Sequence, residues 1–274
     1  MLSLWGCAGL SPCPSATADK LAEHAGLQKQ FIQSGNFELL TYSRTTAPGA
    51  ALTIYIEGDG SAWRTRRCLS SDPTPKNPVA LKLALLDPAE NVVYLARPCQ
   101  YVIKAGKGNN CSTGYWSTKI FSPPVIEAIN QACSIMKKQA GAREIHLVGY
   151  SGGGAVAVLT AARRDDILSI RTIAGNLDHQ EVCRQHHISP LIGSLNAIDA
   201  AEVIKNIPQI HFSGSRDRII PPAIVKRFIA RQTEPRCSKI VLVRNVDHHK
   251  GWQEQWPTLL RMPLPCTLPT PDRE

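Results

Sequence analysis

From Phe37 onward, short runs of β-branched and aromatic residues alternate with segments whose apolar residues recur at helical spacing. That alternation is the pattern of a mainly parallel sheet covered by helices on both faces, and it excludes all-helical and all-strand architectures. The expected strands are Phe37 to Tyr42, Leu52 to Glu57, Asn91 to Ala96, Glu144 to Gly149, Ser169 to Ala174, Gln209 to Phe212 and Lys239 to Val243. Several are continuous apolar runs, as expected of parallel strands buried on both sides. Helices fit between them. Asn77-Pro78 opens one with a capping side chain, and Asp87-Pro88 closes it. Ser122-Pro123-Pro124 opens another that Gly141 stops, Gly152 to Ala162 forms a third, Pro221-Pro222 opens a fourth, and Trp252 to Leu260 forms the last. With 274 residues and 43% hydrophobic composition, one α/β domain over residues 21–274 is expected. Residues 8 to about 20, rich in Ser, Pro, Ala and Thr, read as a tether.

Within that frame, His146-Leu147-Val148 runs through Gly149-Tyr150-Ser151-Gly152-Gly153 directly into a helix. This is G-x-S-x-G in strand, turn and helix context, where glycines permit a sharp turn that lifts the serine above the sheet. The Gly152 amide then lies at a helix N-terminus, where unsatisfied N–H groups favour a developing oxyanion. A serine hydroxyl is a poor nucleophile at neutral pH and requires a histidine base with a carboxylate to orient it. Asp217 follows the strand Gln209 to Phe212, and His248 follows the last strand. Asp178 is the rival acid and His249 the rival base. The bland alternative for Ser151 is an ordinary helix cap.

The chain order Ser151, Asp217, His248 resembles that of the α/β-hydrolase superfamily over about residues 37 to 260. With Tyr55-Ile56-Glu57-Gly58-Asp59-Gly60 after an early strand and Ala96-Arg97-Pro98-Cys99 after the next, it is most similar to exported or lipoprotein-type bacterial serine hydrolases. The resemblance implies the α/β-hydrolase fold, with Ser151 as nucleophile, Asp217 as acid and His248 as base. It places the oxyanion donors at the Gly152 amide and at a backbone amide near Asp59 or Gly60. This loop departs from the familiar His-Gly-Gly-Gly form, so the Glu57 and Asp59 carboxylates must point away, be paired, or bind substrate. The expected activity is cleavage of an ester or related acyl compound through an acyl enzyme, with a small acyl substrate and no cofactor. A peptidase, thioesterase or acyltransferase using the same residues is the alternative enzyme. A non-catalytic envelope binding protein is the alternative outside enzymology.

Composition bears on partners and compartment. Lys plus Arg number 31 against 22 Asp plus Glu, a net charge of +9, but the basic residues are scattered and form no nucleic-acid motif. The histidine pairs His186-His187 and His248-His249 are adjacent instead of one helical turn apart, which argues against a metal site. No run of about eighteen apolar residues marks a spanning helix. Nine cysteines with no C-x-x-C spacing favour disulfides and export. Leu4, Gly6 and Cys7 resemble a bacterial lipoprotein box, implying a periplasmic or outer-membrane lipoprotein at the cell envelope, attached through acylated Cys7. Of the cysteines left after Cys7, Cys99 and Cys111 flank a short loop and are expected to pair. Trp63, Trp116 and Trp252 are expected to be packing residues, with lining of an acyl pocket as the alternative for some of them.

Overall fold

A computed structural model of the chain describes residues 13–65 and 67–266. Its elements in chain order are α1 (Pro14–His24), β1 (Gln28–Ser34), β2 (Phe37–Thr45), β3 (Leu52–Ile56), the short hairpin β4 (Trp63–Thr65) and β5 (Cys68–Leu69), α2 (Val79–Ala84) and β6 (Asn91–Leu95). They continue with α3 (Pro123–Ala140), β7 (Ile145–Tyr150), α4 (Gly152–Ala161), β8 (Ile167–Ile173), α5 (His179–His186), β9 (Gln209–Gly214), α6 (Pro222–Ile229), β10 (Ser238–Val243) and α7 (Trp252–Leu260). Eight strands form one sheet in the order β1-β2-β6-β3-β7-β8-β9-β10. β1 and β2 pair antiparallel, β2 pairs antiparallel with β6, and from β6 to β10 every neighbouring pair is parallel.

The central strands bury both faces, which explains their continuous apolar runs. Ile54, Ile56, Ile145 and Leu147 enter one core with residues of α3, α4 and α6. Tyr55, Val148 and Tyr150, their alternates along β3 and β7, enter a second core with residues of α1, α2 and α7. α3 shows how local sequence fixes an element. Prolines occupy its first turn, Gly141 ends it at φ 63°, and Val125, Ile126, Ile129, Ala132, Cys133, Met136 and Ala140 form its buried stripe. α4 is buried on every side, as befits a helix that follows the central strand.

The structure differs from the sequence reading at several elements. The segment read as a tether is helical from Pro14, with Ala18 and Ala22 buried and Asp19 accepting a 2.6 Å hydrogen bond from the Tyr42 hydroxyl. Ser- and Pro-rich composition was overridden there by two small residues one turn apart that pack on the domain. β1 and α5 were not foreseen, β1 because its Gln and Lys residues belong to an edge strand with an exposed face. α2 is shorter than expected and begins after Pro78, with no capping side chain from Asn77. Trp116 and Trp252 are buried, whereas Trp63, 53% exposed on the small hairpin, is not a core residue.

Cys99 and Cys111 are bonded, with Cα atoms 5.6 Å apart, and Cys237 is bonded to Cys266. Cys13, Cys68, Cys133 and Cys183 remain free, so the even number of cysteines left after Cys7 does not pair completely. Cys7 and its neighbours lie outside the described residues.

Candidate active site

Because β3, β7, β8, β9 and β10 run in parallel, the segments that follow them emerge along one edge of the sheet, and every candidate residue lies on one of these segments. After Tyr150 the chain reverses at Ser151, whose φ of 52° and ψ of −120° form a strained hinge between β7 and α4. The turn closes only because Gly149 and Gly153 lack side chains: a Cβ at Gly149 would meet the Gly153 carbonyl, and one at Gly153 would meet the Ile56 carbonyl. Three backbone bonds fix the hinge. The Ser151 N–H donates to the Ile173 carbonyl at 2.8 Å, and the Ser151 carbonyl accepts from Gly154 at 2.9 Å and from Asn176 at 3.0 Å.

With its backbone fixed, Ser151 presents Oγ 3.0 Å from His248 Nε2, and His248 Nδ1 lies 2.8 Å from Asp217 Oδ2. These partners define the tautomer: Nδ1–H donates to the carboxylate, leaving Nε2 to accept the serine proton. The other Asp217 oxygen accepts the Ile219 and Ile220 amides at 2.8 Å each, and its side chain is fully buried. Position of the imidazole is secured from behind, because the His248 carbonyl accepts from the Tyr150 hydroxyl at 2.9 Å and from Trp252 Nε1 at 3.1 Å. Sequence alone did not reveal those two supports, nor Asn176.

The rivals are occupied elsewhere. Asp178 caps α5 through the Glu181 amide, accepts from Asn196 and pairs with Arg227 at 3.0 Å. His249 Nδ1 faces the Tyr150 hydroxyl at 3.1 Å, and burial together with His248 holds its pKa below the ordinary value.

On the other side of Ser151 lies the loop after β3. The amides of Gly152, Asp59 and Gly60 donate to no atom among the described residues. The loop is braced rigidly. Gln100 Nε2 donates to the Gly58 carbonyl at 2.9 Å, Ser61 donates to the Pro73 carbonyl at 2.9 Å, and Gly60, at φ 67°, packs against that same carbonyl.

The two carboxylates of the loop diverge. Glu57 turns inward, where Oε1 accepts the Gly58 amide at 2.9 Å and the Ala80 amide at 3.4 Å, and burial raises its pKa to about 7. Asp59 turns outward against Gly152, so closely that a Cβ at position 152 would collide with it, and Arg97 Nη1 approaches Asp59 Oδ1 at 3.4 Å. Burial raises the Asp59 pKa, opposed by the positive charge of Arg97. Arg97 is itself an unforeseen member of the site, detectable only as a cation placed directly after an apolar strand. No cluster of His, Cys, Asp or Glu able to hold a metal ion occurs among the described residues.

Neither protein-family models nor curated proteins give a match to the chain. Solved structures do. An esterase of Pyrococcus furiosus superposes with a TM-score of 0.62 at 14% identity, covering 87% of this chain and 92% of that one. An α/β serine hydrolase homologue from Coxiella burnetii gives 0.58 at 15% identity, over 85% of this chain and 93% of the other. The esterase domain of a Rhodothermus marinus protein gives 0.58 at 11% identity, over 85% and 94%. Identity at this level speaks to architecture alone, and with the sheet order and the turn at Ser151 it establishes that this chain has the α/β-hydrolase fold.

Proposed function

We propose that the protein is a serine hydrolase acting on a carboxylic ester or a related acyl compound. The observation that carries this reading is the continuous hydrogen-bonded path from Ser151 Oγ through His248 to Asp217. In the proposed reaction His248 Nε2 takes the Ser151 proton as Oγ attacks the substrate carbonyl carbon, and the C=O electron pair moves to oxygen. The resulting oxyanion is held by the Gly152 amide and by the amides of Asp59 or Gly60. Collapse expels the alcohol, to which His248 returns the proton. Water then enters and gives a proton to His248 as its oxygen attacks the acyl carbon, and collapse breaks the bond to Ser151 Oγ, which takes that proton back from His248 as the acid leaves. Asp217 stays ionised throughout, holding the imidazole in its tautomer and stabilising the imidazolium. Esterases among the similar structures support the ester class. The two disulfides support residence in an oxidising compartment, and attachment there through an acylated Cys7 is part of the same proposal.

A fluorophosphonate tests the reading directly. Ser151 alone among the serines is expected to react stoichiometrically, and Ser151→Ala is expected to abolish labelling and turnover while leaving the circular dichroism spectrum intact. Comparing simple esters, acyl-CoA and peptides side by side then fixes the acyl class. Label on another serine, or full esterase activity in Ser151→Ala, overturns the proposal.

A further inference from the structure

Asp59 is placed where a hydrolase for neutral esters has no use for a carboxylate. It lies against Gly152, the residue after Ser151 whose amide the proposed reaction assigns to the oxyanion, and it takes space that a side chain at residue 152 would otherwise fill. A negative charge there opposes the negative charge that develops on the substrate carbonyl. Arg97 offsets it only in part. The contact is a single one at 3.4 Å instead of a two-pronged pair, Arg97 Nη2 is engaged by the Ile120 carbonyl, and Arg97 Nε is buried without a partner. The pair is also asymmetric. Arg97 exposes 4% of its side chain and Asp59 exposes 33%, so the guanidinium braces from within while the carboxylate looks outward.

Asp59 and Arg97 line a small cleft with Gln100, Tyr115 and Trp116, with room for a group about the size of a water molecule. An ammonium has that size, and Asp59 is the one carboxylate among the residues that line the cleft. Of the two charged residues that line the cleft, Asp59 is the more exposed, so an arriving cation meets the carboxylate before the guanidinium. An arriving ammonium also opposes the cost of burying Asp59, as Arg97 already does in part.

Building on the hydrolase reading, we infer that Asp59, braced by Arg97, is a specificity residue that selects amino-acyl substrates by binding a primary ammonium on the carbon next to the scissile carbonyl.

The test compares L-alanine ethyl ester, ethyl propionate and monoethyl succinate at neutral pH, a set that places a cation, no charge and an anion near the same ester. With kcat/KM for each ester divided by that ester's own hydroxide-catalysed hydrolysis rate constant, to remove the activation that an α-ammonium gives its carbonyl, the wild-type value is expected to be at least about tenfold higher for the alanine ester than for the propionate, as a charge-assisted hydrogen bond provides, with the succinate poorest. Asp59→Asn keeps the shape of the side chain and is expected to bring this corrected alanine to propionate ratio close to one. The wild-type comparison requires no variant and stands even where Asp59→Asn fails to fold. Equal wild-type values overturn the inference, as does a ratio unchanged in Asp59→Asn. Faster turnover of both esters alike in the variant would make Asp59 a mere obstruction, and preference for the succinate would assign the cleft to Arg97; either result overturns it too. Fluorophosphonate labelling separates the two levels: a reactive Ser151 without preference for the cation defeats only the role of Asp59, whereas an unreactive Ser151 with no ester turned over defeats the hydrolase reading and this inference together.

Discussion

The two flanks of Ser151 are built differently. On the His248 side each polar atom has its partner: both Asp217 oxygens are engaged, both His248 nitrogens are engaged, and the His248 carbonyl accepts two donors. On the β3 side three amides have no acceptor among the described residues, Arg97 Nε is buried without a partner, and Asp59 has one long contact. In the proposed reaction it is this second flank that the substrate completes. The difference teaches a division of labour, in which one flank holds a proton path rigid and the other is left to be occupied.

The largest expected effect comes from breaking the complete flank. Asp217→Asn retains an oxygen for the Ile219 and Ile220 amides but presents an NH2 group to His248 Nδ1, forcing the tautomer that cannot accept the serine proton. A fall in kcat of about three to four orders of magnitude is expected, with folding retained and fluorophosphonate labelling slowed in parallel. Asp178→Asn provides the contrast. It weakens the pair with Arg227, with Asn196 next to it, and is expected to lower the melting temperature while kcat stays near wild type. Loss of kcat in Asp178→Asn with little loss in Asp217→Asn would reverse the assignment of the acid.

A smaller effect is expected from loosening the open flank. Arg97, Cys99 and Gln100 are near neighbours in sequence, so the Cys99–Cys111 disulfide tethers the segment that holds Asp59 and the Gly58 carbonyl. Replacing both cysteines with serine is expected to destabilise the protein by about 3 kcal/mol, the loop-closure contribution for a ring of this size. It should also lower kcat/KM about tenfold through misplacement of the proposed oxyanion donors, a loss of the kind that small displacements produce. Thermal melting and ester kinetics measured on the same preparation check both.

The same contrast explains what the sequence made legible. The elbow could be read because its requirements are local: glycines at fixed offsets, an apolar strand before and a helix after. Asp217 and His248 could be read from chain order, since each follows a strand that its own β-branched run announces. Arg97, Gln100 and Tyr150 could not. Their roles arise from which strands become neighbours, and the order β2-β6-β3-β7 that brings Arg97 beside Asp59 is a property of the assembled sheet. Nor did composition reveal that α1 docks, because Ala18 and Ala22 become core residues only against the surface that Tyr42 supplies. The divergence of Glu57 and Asp59 was open for the same reason: two residues apart on a loop, they obey no periodicity that assigns one inward and one outward.

Glu57 therefore provides the smallest effect on turnover and the sharpest on stability. Fully enclosed, it accepts two amides through Oε1, while Oε2 has no partner. Burial raises its pKa from 4.5 to about 7 in the folded protein. The folded state thus binds the proton more tightly than the unfolded chain, and the sign follows: the stabilisation is fully present below the unfolded pKa and is lost as pH rises through the folded pKa. Between the two values the loss amounts to about 3 kcal/mol, at 1.36 kcal/mol for each pH unit of difference. Glu57→Gln keeps the acceptor oxygen for Gly58 and Ala80 and has no proton to lose. Wild-type melting temperature relative to the variant is expected to decline from acid toward neutral pH and to level off beyond it, with the glutamine protein the more stable of the two in mildly alkaline buffer. kcat should change no more than a few-fold, because the Glu57 carboxylate is held at the Gly58 and Ala80 amides and has no part in the proposed reaction. A difference in melting temperature that is flat across this range would show that the Glu57 carboxyl is paired in solution and ionises as an ordinary glutamate does.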